Sequence, residues 1–217
     1  MSIKRNIESI GSDLRKGCRL IAVSKTHPPA LVQEAYDAGQ RVFGENKVQE
    51  MSAKYEVLPK DIQWHLIGHL QTNKVKYIAP WVSLIHSVDS PKLAAEIDKQ
   101  GQKAGRIIPC LLQVYIAKEE TKFGFDRTEL LTFLENAKLT GMSIEGLMGM
   151  ATLTDDREQI RREFRELHDL FTEIGKMHLP QAVQMKELSM GMSSDYKIAM
   201  EEGSTMVRIG TAIFGKR

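Results

Sequence analysis

The sequence predicts an α/β protein: a (β/α)8 TIM barrel with an additional N-terminal helix. Three observations carry that expectation. Short apolar runs alternate with longer amphipathic stretches from end to end, and such alternation implies parallel strands joined by helical crossovers. About eight runs are present, the number a closed barrel needs and more than a doubly wound sheet usually has. No linker, low-complexity tract or repeat divides the 217 residues, so one barrel domain over 1–217 is expected.

Along the chain, Ile3, Ile7, Ile10 and Leu14 recur at helical spacing among charges. They make the N-terminus an amphipathic helix and not the continuous apolar core of a signal peptide. The run Arg19-Leu20-Ile21-Ala22-Val23-Ser24-Lys25 is a buried strand, ended by Thr26-His27-Pro28-Pro29 because proline cannot continue a ladder. Further strands are expected at 41–46, 63–68, 83–88, 107–115, 143–151, 186–190 and 205–210. Helices are expected near 29–38, 46–57, 70–79, 91–104, 127–138, 156–177 and 194–202. The longest carries Ile160, Phe164, Leu167, Phe171 and Ile174 on one face, its arginines and glutamates on a solvated one.

Composition narrows the function classes. A net charge of +2, with acidic and basic residues mixed, leaves no electrostatic footprint for nucleic acid. No apolar stretch approaches the roughly 20 residues of a membrane helix. Two cysteines, Cys18 and Cys110, lie far apart without metal-ligand spacing, as in a reduced, cytoplasmic protein. No hydrophobic patch stands out for self-association, so a monomer is expected.

Alternation puts Ile21, Val23 and Lys25 on one face of the first strand. Desolvation disfavours a charged lysine on an apolar face, and a neutral amine at a pocket mouth suits Schiff-base chemistry with an aldehyde. Snorkelling to water is the alternative. Asn46 ends the second strand. In the seventh unit, Ser189-Met190-Gly191-Met192-Ser193-Ser194-Asp195 leads into a helix, where Ser193 could cap free N–H groups that attract an anion. On the last strand Arg208 and Gly210 point inward, with Thr211 at the rim. Barrel phosphate sites are often built from the loops after strands 7 and 8. An interior guanidinium needs an acceptor, either a pyridine nitrogen or a carboxylate such as Glu145. A Schiff-base lysine, a phosphate cradle and an interior arginine together describe a pyridoxal phosphate pocket.

Beyond these residues, the chain resembles the pyridoxal phosphate homeostasis protein family, which is related to the N-terminal domain of alanine racemase. The resemblance rests on Val23-Ser24-Lys25-Thr26, Phe43-Gly44-Glu45-Asn46 with Val48-Gln49-Glu50, and Trp64-His65-Leu66-Ile67-Gly68-His69-Leu70-Gln71. Asn73-Lys74, Lys122-Phe123-Gly124-Phe125, Gly146-Leu147-Met148, Leu188 to Asp195 and Val207 to Gly215 extend it along nearly the whole chain. It implies an alanine-racemase-like barrel with pyridoxal 5′-phosphate held as an aldimine on Lys25. It also implies phosphate contacts at Ser193, Gly210 and Thr211, a ring-nitrogen contact at Arg208 and a pocket position for Asn46. His27 and Lys47 depart from the family pattern beside the pocket.

The implied role is a non-catalytic carrier in cofactor homeostasis, with apo-enzymes that use the cofactor as partners. An amino-acid racemase of weak activity is the rival, and it needs a second acid–base group opposite the lysine. A barrel aldolase would share the phosphate site but leave Arg208 unexplained. A metal site at His65 and His69 is disfavoured, since that spacing faces one ion only on a helix.

Overall fold

The computed structural model describes residues 2–117 and 123–215. Its strands are β1 (Arg19–Val23), β2 (Val42–Glu45), β3 (Gln63–Leu66), β4 (Leu84–Val88), β5 (Ile108–Gln113), β6 (Met142–Met148), β7 (Val183–Ser189) and β8 (Met206–Ile209). All pair in parallel with their sequence neighbours, and β8 returns to β1 through Leu20–Val207 and Ile21–Arg208, so the barrel closes. The helices are α1 (Ile3–Asp13), α2 (Pro29–Asp37), α3 (Val48–Val57), α4 (Val75–Ile78), α5 (Pro91–Lys103), α6 (Arg127–Glu135), α7 (Arg157–Ile174), α8 (Tyr196–Glu201) and α9 (Thr211–Phe214). The expected barrel with its extra N-terminal helix is the observed fold.

Strand alternation separates two cores. Outward residues such as Ala22, Phe43, Trp64, Leu66, Leu112, Leu147 and Val207 are buried beneath the helices in the main hydrophobic layer. Inward, Ile21, Leu84, Leu111, Met148 and Met206 form a smaller cluster within the barrel. Apolar filling stops there. His65, His86, Ser189 and Arg208 occupy the remaining interior and are all buried.

Three local expectations change. In place of one helix over 70–79 the chain forms a 3₁₀ turn, Thr72–Lys74, and the single-turn α4. β7 begins at Val183, earlier than expected, because Gln184, Lys186 and Glu187 interrupt the apolar run that marks a strand. On α7, Glu163 lies on the buried face, where its carboxylate accepts bonds from Thr152 N (2.7 Å) and Thr152 Oγ1 (2.8 Å).

Helix α5 seats closely on the chain leading into β6. A methyl at Gly101 would stand 1.9 Å from the Gly141 carbonyl oxygen, and neither backbone can yield cheaply. Gly101→Ala should cost about 1–3 kcal/mol of stability, read as a lower urea midpoint, with the loss an overpacked core shows. A wild-type midpoint would contradict this packing.

Candidate functional site

All six sequence-predicted residues, Lys25, Asn46, Ser193, Arg208, Gly210 and Thr211, line one cavity of about 720 Å³. It opens at the C-terminal ends of the strands, the face where βα barrels carry function. Each residue arrives there for a local reason. The β1 ladder continues past Val23 through Ser24 N–H to Gly44 O (3.0 Å), so Lys25 keeps the inward phase of Ile21 and Val23. The next residue breaks away, since Thr26 has a left-handed φ of +66°, rare for a branched side chain. Asn46 follows β2 in the inward phase of Gly44, and Gly68 packs against it so tightly that a Cβ would lie 2.5 Å from Asn46 O.

The opposite rim differs from expectation in one respect. Ser193 does not cap α8. Asp195 is the N-cap residue, and its carboxylate accepts from Met192 N (2.5 Å). Burial raises the Asp195 pKa above the ordinary carboxylate value, and the bond from Met192 opposes that shift. The turn closes instead through Asp195 N and Tyr196 N, which donate to Met192 O (3.1 and 2.9 Å), and this leaves Ser193 and Ser194 ahead of the helix, lining the cavity. Gly191 permits the turn, with φ +93° and too little room for a Cβ, which would meet Ala199 Cβ at 2.6 Å. Gly210 is the N-cap of α9, so the N–H groups of Thr211 and Ala212 open a helix with no earlier carbonyl in the turn to bond.

Arg208 forms the floor. Its Nη1 donates to Ser189 Oγ (2.6 Å) and its Nη2 to Gly149 O (3.0 Å). Glu145, the carboxylate considered from sequence, is engaged elsewhere, with Ser143 Oγ (2.8 Å) and Lys186 (3.5 Å). Burial pulls the Arg208 pKa down to about 10, which still leaves the group charged at neutral pH. A guanidinium carries five donors, more than those two acceptors use.

Sequence inspection missed the polar column beneath this arginine. Ser189 Oγ lies 2.9 Å from His86 Nδ1, and His86 Nε2 lies 2.9 Å from His65 Nδ1. Burial, reinforced by the charge of Arg19, pushes the His65 pKa down to about 3. Burial and then the charges of His65 and Arg208 push His86 well below its ordinary value. Two neutral rings, each with one donor and one acceptor, can extend the chain from Ser189 without an orphaned nitrogen between them. His65 therefore pairs with His86, while His69 stands at the rim against Asp89 (3.0 Å). His27 stacks on Phe214 beside the cavity at 4.9 Å, whereas Lys47 is exposed outside its lining. Lys122 lies outside the described residues.

The donor set fits one kind of ligand. Hydroxyls and helix-opening N–H groups on one wall suit a phosphate, an amine stands on the neighbouring wall, and a cation at the floor suits a weakly basic ring nitrogen.

Comparison with known proteins agrees with that chemistry. A family model described as alanine racemase, N-terminal domain, matches residues 1–217. A pyridoxal phosphate homeostasis protein of Aquifex aeolicus is 43% identical over 201 residues, covering 92% of this chain and 87% of the relative. The protein of that name from Mus musculus is 41% identical over 212 residues, covering 92% and 77%. PipY of Synechococcus elongatus, solved with PLP bound, superposes with a TM-score of 0.89 at 38% identity over 99% of this chain and all of PipY. Alanine racemase from Bartonella henselae shares the fold, with a TM-score of 0.73 at 17% identity, and this chain covers 60% of it.

The histidine column predicts an acid-sensitive fold. Both rings have folded-state pKa values below the ordinary 6.5, so their contribution is fully present above about pH 6.5 and is lost as pH falls toward 3. Each ring adds a slope of up to about 1.4 kcal/mol per pH unit in that window. The urea midpoint should fall between pH 7 and pH 5, and His65→Gln should flatten that fall. An unchanged slope in the variant would place the titration elsewhere.

Proposed function

The chain belongs to the alanine racemase N-terminal domain family and, within it, to the pyridoxal phosphate homeostasis proteins; from that premise we propose that it holds pyridoxal 5′-phosphate on Lys25 and releases it again, as a carrier in cofactor homeostasis. One observation carries this reading. A lysine, a buried arginine and a set of phosphate donors converge on a single cavity at the C-terminal rim.

Bound there, pyridoxal phosphate supplies an aldehyde that condenses reversibly with an amine. The residues of this chain do the rest. Lys25 presents Nζ from the inner face of the first strand. Ser193, Gly210 and Thr211 receive the anionic tail through a hydroxyl and the opening N–H groups of α9. Asn46 and His27 border the space beside Lys25. Arg208 donates a hydrogen bond at the ring nitrogen and, remaining a cation, disfavours a proton there.

That last property favours a carrier over an enzyme. A ring nitrogen held unprotonated is a poor electron sink, so carbanion chemistry gains little. Racemisation also needs a second acid–base group, and none of the five tyrosines lines the cavity; three of them are bonded or stacked elsewhere. Tyr36 donates to Asp61 (2.8 Å), Tyr196 to Asp13 (2.9 Å), and Tyr55 stacks on Trp81. The aldolase reading still gives Arg208 no task.

We extend the reading to a cytoplasmic monomer that serves apo-enzymes. Free Cys18 and Cys110 support a reducing compartment, Cys110 being buried with its thiol pKa raised by desolvation. No helix among the described residues is long and apolar enough to cross a membrane.

Borohydride treatment of protein loaded with pyridoxal phosphate should fix one cofactor mass on the peptide containing Lys25. Lys25→Ala should abolish that mass increment, and an undiminished increment would remove Lys25 as the anchor. Arg208→Ala should weaken retention about tenfold or more, equivalent to about 1.4 kcal/mol. Ser193→Ala should cost less, because backbone donors share the phosphate; an equal or larger loss would make its hydroxyl the main contact.

A further inference from the structure

Behind the cavity wall, between the first two strands and α3, lies a buried charge cluster that cofactor binding does not use. Lys54, on α3, is 3% exposed. Its Nζ donates to Ser24 O (2.8 Å), Glu45 Oε1 (2.7 Å) and Glu50 Oε1 (2.8 Å). Ser24 Oγ adds a bond to Glu45 Oε1 (2.7 Å). Glu50 Oε1 also accepts from Thr26 N–H (2.5 Å).

The consequence concerns Lys25. The carbonyl of the peptide before its Cα is bonded to Lys54, and the N–H of the peptide after it is bonded to Glu50. Lys54 and Glu50 are bonded to each other. Both peptide planes that fix the Lys25 Cα–Cβ direction are therefore pinned from the outer face by one ion pair. The arrangement is costly. Glu45 is fully buried, its pKa is raised by desolvation, and its Oε2 has no partner among the described residues. The cluster also holds Thr26 at φ +66°. Ionic groups withdrawn from water rarely stabilise a fold more than apolar packing would, and strained backbone persists only where its surroundings over-determine it.

We propose that Glu50 and Lys54 are positioning residues that aim Lys25 at the aldehyde, so that covalent capture depends on them while docking of the cofactor does not. This rests on Lys25 being the anchor. Capture joins Nζ to the aldehyde carbon with loss of one water, both amine hydrogens leaving with the carbonyl oxygen. The phosphate and ring contacts lie on β8, α9 and the turn before α8, remote from the cluster in the chain, so they stay in place when the rear support is removed.

Two ligands separate aiming from folding. Pyridoxal 5′-phosphate docks and links; pyridoxine 5′-phosphate, with an alcohol in place of the aldehyde, docks only. In Glu50→Ala, the rate of forming the borohydride-fixed adduct should fall about tenfold or more, as a displaced reacting group requires. The Kd for pyridoxine 5′-phosphate should change less than about threefold. Glu50→Gln keeps an acceptor for Thr26 N–H and should recover most of the rate. Lys54→Met should behave as Glu50→Ala, with its circular dichroism checked; should it fail to fold, the half-buried Glu50 pair still decides the matter. Wild-type capture rates in Glu50→Ala, or parallel losses for both ligands, would overturn the proposal. Failure of wild-type protein to trap cofactor on Lys25 would instead refute the anchor assignment.

Discussion

Side chains on the strands of a closed barrel have two directions, inward or outward, and that constraint sets the task of every residue at the rim. On β1 and the residues after it, Ile21, Val23 and Lys25 point in while Ser24 points out. On β2, Gly44 and Asn46 point in while Glu45 points out. The inward set borders the cavity. The outward set meets Lys54 of α3, which Glu50 in turn ties to Thr26 N–H. A slip of one residue in the first strand would leave the Lys25 amine in the helix layer, and a slip in the second would put the Glu45 carboxylate in the pocket. Binding face and supporting face are thus two sides of the same short peptide.

The same constraint makes the barrel interior a difficult place for charge. Arg208 is nearly inaccessible, yet a guanidinium remains ionised there. Its environment accommodates it with neutral acceptors, Ser189 Oγ and the Gly149 carbonyl, and not with a carboxylate. Below Ser189, two histidines must stay neutral for the column to hold. With Asp195 acting on it only through space and no carboxylate among the described residues hydrogen-bonded to it, the cation keeps attraction for a ligand acceptor, whereas a bonded pair would be largely spent on its partner. This distinguishes the floor of the cavity from an ordinary buried salt bridge.

Much of the fold was legible because barrel strands are short, apolar and regularly spaced, and all eight were placed to within a few residues. The six pocket residues were legible for the same reason, since strand phase and glycine-bearing turns are local signals. What escaped was long-range or depended on pairing across strands. The acceptors of Arg208 come from Ser189 and Gly149, in separate units, and no local pattern joins them. Asp195 and not Ser193 precedes α8, because the turn closes through Asp195 N and Tyr196 N on Met192 O and the helix starts later than the serines suggest. The Glu50–Lys54 pair carried a visible signal, four residues apart on a helix, but its burial against Ser24 and Glu45 did not.

The central claim is that one inward-facing amine at the end of the first strand joins the cofactor while the last two strands hold its phosphate. A crystal structure of the protein grown with pyridoxal 5′-phosphate tests this most directly. Continuous density from Lys25 Nζ to the cofactor, with the phosphate among Ser193, Gly210 and Thr211 and the ring nitrogen at Arg208, is the predicted result. Density joined to a different lysine, or a phosphate seated away from the turns after β7 and β8, would contradict it.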